Sequence, residues 1–144
     1  MDSNLKREII LDNYQNPFNK GLINDDSYIV VNVNSESCID NLDFMMKVED
    51  KKIIDIKFDG EACAISTSAA SIMSSCLIGK SIEEAIDVLK NYYNMINEEE
   101  YDVDVLEELV VYDEVCKQPN RKNCVLLPSR AIKNMLDKLD NITE

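Results

Sequence analysis

Three stretches in the first half of the chain, 28–34, 42–49 and 52–58, alternate apolar and polar residues. A period of two gathers one set of side chains on one face, so each reads as a half-buried strand. Glu49-Asp50-Lys51 leaves room between the second and third only for a tight hairpin turn. Ahead of them, Leu5 to Tyr14 has the spacing of a short amphipathic helix, with Ser3 or Asn4 as its cap and Asn16-Pro17 as its stop. Beyond residue 64 the period changes. Ser66 to Ile78 is rich in alanine and serine and ends at Gly79, which predicts a helix of small residues able to pack closely. Ser81-Ile82-Glu83-Glu84 is a capping box, and the helix it starts runs to about Asn97 with Ala85, Ile86, Leu89 and Tyr92 or Tyr93 on its inner face. Glu98 to Asp104 reads as an acidic, solvated connection, and Val105 to Val111 as a further short helix. The last helix, from about Asn120 to Leu139, places Val125, Leu126, Ile132, Met135, Leu136 and Leu139 at core spacing; Pro128 predicts a kink or a fresh start within it. Strands followed by helices predict an α+β fold, a three-stranded antiparallel sheet with helices packed on one face.

Composition narrows the class. A chain of 144 residues with 45% apolar content is long enough for one core, and a single domain over 1–144 is expected. The net charge of −13 argues against nucleic acid or an anionic membrane as partner, because both are bound through clustered cations. A protein with a basic face suits it better. The start, Met1-Asp2-Ser3-Asn4-Leu5-Lys6-Arg7-Glu8, is polar, and no apolar run approaches membrane-spanning length, so a cytoplasmic protein is expected. Five cysteines, an odd count without secretory features, point to reduced or metal-bound thiols rather than a disulfide framework.

Three of those cysteines and one aspartate have contexts that point to chemistry. Cys38 and Asp40 fall in the connection between two strands and would serve one ligand from one loop. Cys63 follows a strand and opens the small-residue helix, where the helix dipole and free backbone N–H groups favour negative charge. Cys124 lies about one turn into the last helix beside Arg121 and Lys122, and cations favour a negatively charged sulfur. Thiolates with a carboxylate suit tetrahedral zinc or iron in an iron–sulfur cluster, and the long, irregular spacing does not choose between them. The plainer alternatives are small buried thiols and an aspartate bonding its own loop. For Cys76 and Cys116 core packing is the better reading.

These motifs are carried in order through most of the chain. Asp12-Asn13-Tyr14-Gln15-Asn16-Pro17-Phe18-Asn19-Lys20-Gly21, Cys38-Ile39-Asp40, Gly60-Glu61-Ala62-Cys63-Ala64-Ile65-Ser66, Gly79-Lys80-Ser81 and Arg121-Lys122-Asn123-Cys124-Val125-Leu126-Leu127 together resemble the IscU/NifU-like iron–sulfur cluster assembly proteins. Asn123 stands where IscU proteins carry histidine, the chain has no histidine, and the stretch from Met95 to Gln118 is long, so the resemblance is to the SufU type. Ile39 and Ala62 replace glycines of the pattern, and Asn123 a lysine. The resemblance implies a SufE/NifU-like fold and a zinc site of Cys38, Asp40, Cys63 and Cys124. It also implies sulfur acceptance by Cys38 with Arg121 in support, and a pyridoxal-phosphate cysteine desulfurase of the SufS type as donor. Such a protein is a sulfur-transfer partner rather than a stand-alone enzyme. The alternative is a scaffold that holds a transient iron–sulfur cluster and passes it to recipient or carrier proteins; a purely structural zinc domain ranks last.

Overall fold

The computed structural model describes residues 1–35 and 39–143, with side chains throughout except those of Cys116 and 140–143. Its elements in chain order are α1 (Ser3–Gln15), β1 (Ile29–Asn34), β2 (Asn41–Glu49), β3 (Lys52–Glu61), α2 (Ala64–Leu77), α3 (Ile82–Ile96) and α4 (Pro119–Thr143). The strands form one antiparallel sheet in the order β1-β2-β3, as their alternation predicts. Asp50 and Lys51 make the two-residue turn between β2 and β3, both at positive φ, the geometry whose twist matches the flanking strands. Val31 and Val33, Leu42, Phe44 and Met46, and Ile53, Ile56 and Phe58 are all buried, and Phe44 stacks on Phe58 with ring centroids 5.6 Å apart. The reverse face is partly covered by the chain after α1. Asn19 and Gly21 bond the backbone of Phe58, and the Ile23 amide donates to the Met45 sulfur at 3.4 Å.

Helix α2 is the hub. It is buried at every position from Ser66 to Ser74, which is why its sequence is small: α1, α4 and β3 all pack against it, and only alanine and serine admit neighbours on all sides. Ser68 and Ser71 bond to side chains packed around the helix, whereas Ser74 Oγ is buried with no hydrogen-bond partner among the described residues. Ser68 Oγ lies 2.6 Å from the Tyr112 hydroxyl, while Ser71 Oγ donates to Asn13 Oδ1 and accepts from the Phe18 amide.

Several expectations are corrected. The N-cap of α1 is Asp2, whose carboxylate accepts from the Leu5 amide, rather than Ser3 or Asn4. Instead of a short helix over Val105 to Val111, three 3₁₀ segments occupy Val103–Val105, Glu107–Tyr112 and Val115–Lys117. The inner face of α3 is Ala85, Val88, Tyr92, Met95 and Ile96; Ile86 and Tyr93 are 51% and 56% exposed. That helix carries apolar residues over a wider arc than the core can cover. Finally, α4 continues through Pro128 without restarting, because another donor replaces the amide that proline lacks.

Candidate metal centre

Hydrogen bonding across the β1–β2 pair is continuous to Asn34 and Asn41, and the Ser35 amide then donates to the Asp40 carbonyl. Asp40 is thereby held at the end of the sheet, 1% exposed. On the neighbouring strand, β3 must pass close to β2 to reach α2. It does so at Gly60, with φ +135°, where a Cβ would collide with the Asn41 carbonyl oxygen; only glycine fits there. Three residues later Cys63 is the N-cap of α2, its sulfur accepting from the Ser66 amide at 3.4 Å. The sequence places this cysteine at a helix start, and the structure makes it the cap itself. Cys124 reaches the same point from α4, fully buried.

The three ligand atoms of Asp40, Cys63 and Cys124 all lie within 4.8 Å of one another. Asp40 Oδ1 accepts from the Cys63 amide at 2.7 Å, and Oδ2 lies 2.6 Å from Ser66 Oγ and 3.8 Å from Cys63 Sγ. Burial pushes the Asp40 carboxyl up. Hydrogen bonds from the Ser66 hydroxyl, the Cys63 amide and the thiols of Cys124 and Cys63 outweigh it, and the group is held below the usual carboxylate range. Asp40 is therefore an anion aimed at the N-terminus of α2 rather than a turn aspartate bonding only its own loop.

Donors around a tetrahedral ion with metal–sulfur bonds of about 2.3 Å stand about 3.8 Å apart, so this spacing suits zinc without large movement. Cys38, the fourth donor expected, lies outside the described residues. Ile39 beside it is 73% exposed, so the bulk it adds where the pattern has glycine meets solvent. Arg121 occupies the exposed first turn of α4, its amide bonded to the Gln118 carbonyl. Among the described residues its side chain forms no ion pair. Cys76 is apart from the centre: its thiol donates to Glu107 at 2.9 Å, and burial, then the Glu107 carboxylate, push it up to about 12.

Residues 5–134 match the model of the NifU-like N-terminal domain. The chain belongs to that family. Over 135 residues it is 37% identical to the zinc-dependent sulfurtransferase SufU of Bacillus subtilis, an alignment covering 93% of this chain and 90% of the relative. The iron–sulfur cluster assembly scaffold protein IscU of Thermotoga maritima is 30% identical over 115 residues, 80% of this chain and 81% of the relative. Among solved structures, a putative iron–sulfur cluster assembly scaffold protein for the SUF system from Fervidobacterium islandicum superposes with a TM-score of 0.79 at 31% identity, covering 90% of this chain and 94% of that one.

Two residues of this NifU-like domain go unassigned by the motif reading. Pro128 has no amide, so the carbonyl of Cys124, four residues earlier, has no helical donor. Ser66 Oγ lies 3.0 Å from that carbonyl as well as 2.6 Å from the Asp40 carboxylate, and its one proton is shared between them. Ser66 thus ties all three ligand-bearing segments together, since its own amide also caps onto Cys63. The signal was present in the sequence. A serine three residues after a capping position, together with a proline four residues after a candidate ligand, marks one surplus donor and one surplus acceptor.

Proposed function

We propose that this NifU-like domain is an iron–sulfur cluster assembly protein that works as a zinc-dependent sulfurtransferase, taking sulfur onto Cys38 from a pyridoxal-phosphate cysteine desulfurase of the SufS type. Asp40, Cys63 and Cys124, with Cys38, hold the metal. The observation that carries this reading is the convergence of one carboxylate and two sulfurs, from three separate segments, within 4.8 Å. The relative at 37% identity, itself named a zinc-dependent sulfurtransferase, supports it. Bound there, zinc would keep the sulfurs deprotonated and add its binding energy to that of folding.

The chain's own residues account for the transfer. The Cys38 thiolate attacks the outer sulfur of the desulfurase's cysteine persulfide. A new S–S bond forms on Cys38 as the old one breaks; the desulfurase cysteine leaves as thiolate and the proton stays on the outer sulfur. Nothing is oxidised or reduced overall. Asp40 remains a carboxylate because two strong donors, the Cys63 amide and the Ser66 hydroxyl, are fixed on it. Arg121, exposed three residues before Cys124, supplies positive charge for the desulfurase thiolate as it leaves. From Cys38 the sulfur passes to cluster assembly and so to iron–sulfur recipient or carrier proteins.

Metal analysis combined with a desulfurase assay tests this. The purified protein should contain about one zinc, stay colourless and raise desulfurase turnover on L-cysteine. Cys38→Ala should fold but accept no sulfur. A coloured cluster that reconstitutes on the protein and transfers to apo-proteins would replace the proposal with the scaffold reading. An unfolded Cys38→Ala, with the other three ligands intact, would reduce the site to a structural zinc.

A further inference from the structure

An open apolar groove of about 460 Å³ runs between α3 and α4, away from the metal centre. Ile82, Ile86, Leu89 and Tyr93 form one wall, a repeat of i, i+4, i+7 and i+11 that covers about 16 Å of helix. Leu126 and Leu136 contribute from α4. Leu126 is two residues from Cys124, about 200° round the helix, so the groove and the ligand lie on different faces of α4. The α3 wall is left uncovered: Ile86 and Tyr93 are each more than half exposed, whereas an enclosed ligand pocket would bury them. The length and the helical repeat match three turns of another helix laid along the groove.

Charge identifies the class of occupant. The chain carries 28 acidic residues against 15 basic ones, yet the groove is bordered by Lys90, Arg130 and Lys133 with Asp137 as the acid among its lining residues. None of those three cations forms an ion pair among the described residues, although lysines elsewhere find carboxylates, as Lys6 does with Asp113 at 2.8 Å and Lys80 with Glu107 at 3.0 Å. We propose that this groove is a docking site for an acidic amphipathic helix of a partner protein, whose apolar stripe packs on Ile86, Leu89 and Tyr93 and whose carboxylates meet Lys90, Arg130 and Lys133. The site is separate from the metal centre, so a partner could occupy it while sulfur is transferred. Its surface selects a partner of charge opposite to the one the overall −13 selects.

Fluorescence anisotropy on the full, zinc-replete chain tests this with a labelled helical peptide of about 16 residues, leucines at the helical repeat and glutamates elsewhere. A peptide with lysine in place of every glutamate is the control; decanoate and phosphatidylglycerol vesicles stand for the other occupants such a groove could take. The acidic peptide should bind in the micromolar range, and Arg130→Glu with Lys133→Glu should weaken it about tenfold or more. Ile86→Asp should do the same, and raising salt from about 50 to 300 mM should weaken binding several-fold. Circular dichroism and zinc content should be unchanged in both variants, whose altered side chains are exposed. Absence of binding by the acidic peptide, equal binding of the lysine peptide, indifference to charge reversal, or uptake of decanoate or vesicles instead would each overturn the proposal. None of these outcomes bears on the Cys38 assay, so the two readings fail separately.

Discussion

Replacing Ser66 with alanine removes one hydroxyl that serves two buried acceptors. The first is the Asp40 carboxylate, 2.6 Å away; a hydrogen bond to a charged group contributes about 1.5–3 kcal/mol. The second is the Cys124 carbonyl, 3.0 Å away on a fully buried residue, and an unsatisfied buried acceptor costs about 1–3 kcal/mol. One proton serves both, so the two figures do not add in full, and a loss of about 2–4 kcal/mol is expected. That is a large part of the stability of a typical domain but leaves the variant folded. The measurement is urea unfolding of the metal-stripped protein, since bound metal would mask the difference. A second background isolates the cause. Pro128→Ala restores an amide four residues after Cys124, giving that carbonyl a helical donor, so Ser66→Ala should cost about 1 kcal/mol less there than beside proline. A loss below about 0.5 kcal/mol, or the same loss in both backgrounds, would refute the assignment of Ser66 as the tie between the ligand segments.

Gly60 and Cys76 give three further outcomes. Gly60→Ala forces a side chain into the Asn41 carbonyl at a φ of +135°; it should destabilise the protein by about 2 kcal/mol or more in thermal unfolding and lower its zinc content, because that crossing sets Asp40 against Cys63. Cys76, with its thiol pushed up to about 12, should react with iodoacetamide at pH 8 roughly fortyfold more slowly than an ordinary thiol, after the greater nucleophilicity of its thiolate is allowed for. Peptide mass spectrometry reads that rate. The raised value also fixes a sign: the stability the protonated thiol contributes is whole below its unfolded value of 9.0 and is lost as pH rises towards about 12. Cys76→Ala should therefore flatten the alkaline decline; an unchanged slope would contradict the burial of the thiol.

What the sequence determined by itself is local. Period-two alternation placed β1 to β3 within a few residues of their observed limits, though β3 runs on to Glu61. The capping box of α3 was legible because both of its hydrogen bonds lie within four residues, Ser81 to Glu84. Asp40, Cys63 and Cys124 were recognisable as chemical candidates because each stands in a short motif. Whether they meet is a different question, since 23 residues separate Asp40 from Cys63 and nothing local sets the distance between strand end and helix start. Tertiary structure decided it, through the Gly60 crossing and through Ser66, whose two acceptors lie 26 and 58 residues away in the chain. It also decided what α3 does with its apolar arc. Amphipathic spacing assigns Ile86 to the core and leaves Tyr92 and Tyr93 as alternatives, but burial depends on what is packed opposite, and the chain provides a wall for Val88 and Tyr92 while leaving Ile86 and Tyr93 in the groove. Spacing determines which face a residue occupies; only the neighbours supplied by the rest of the fold determine whether that face is covered.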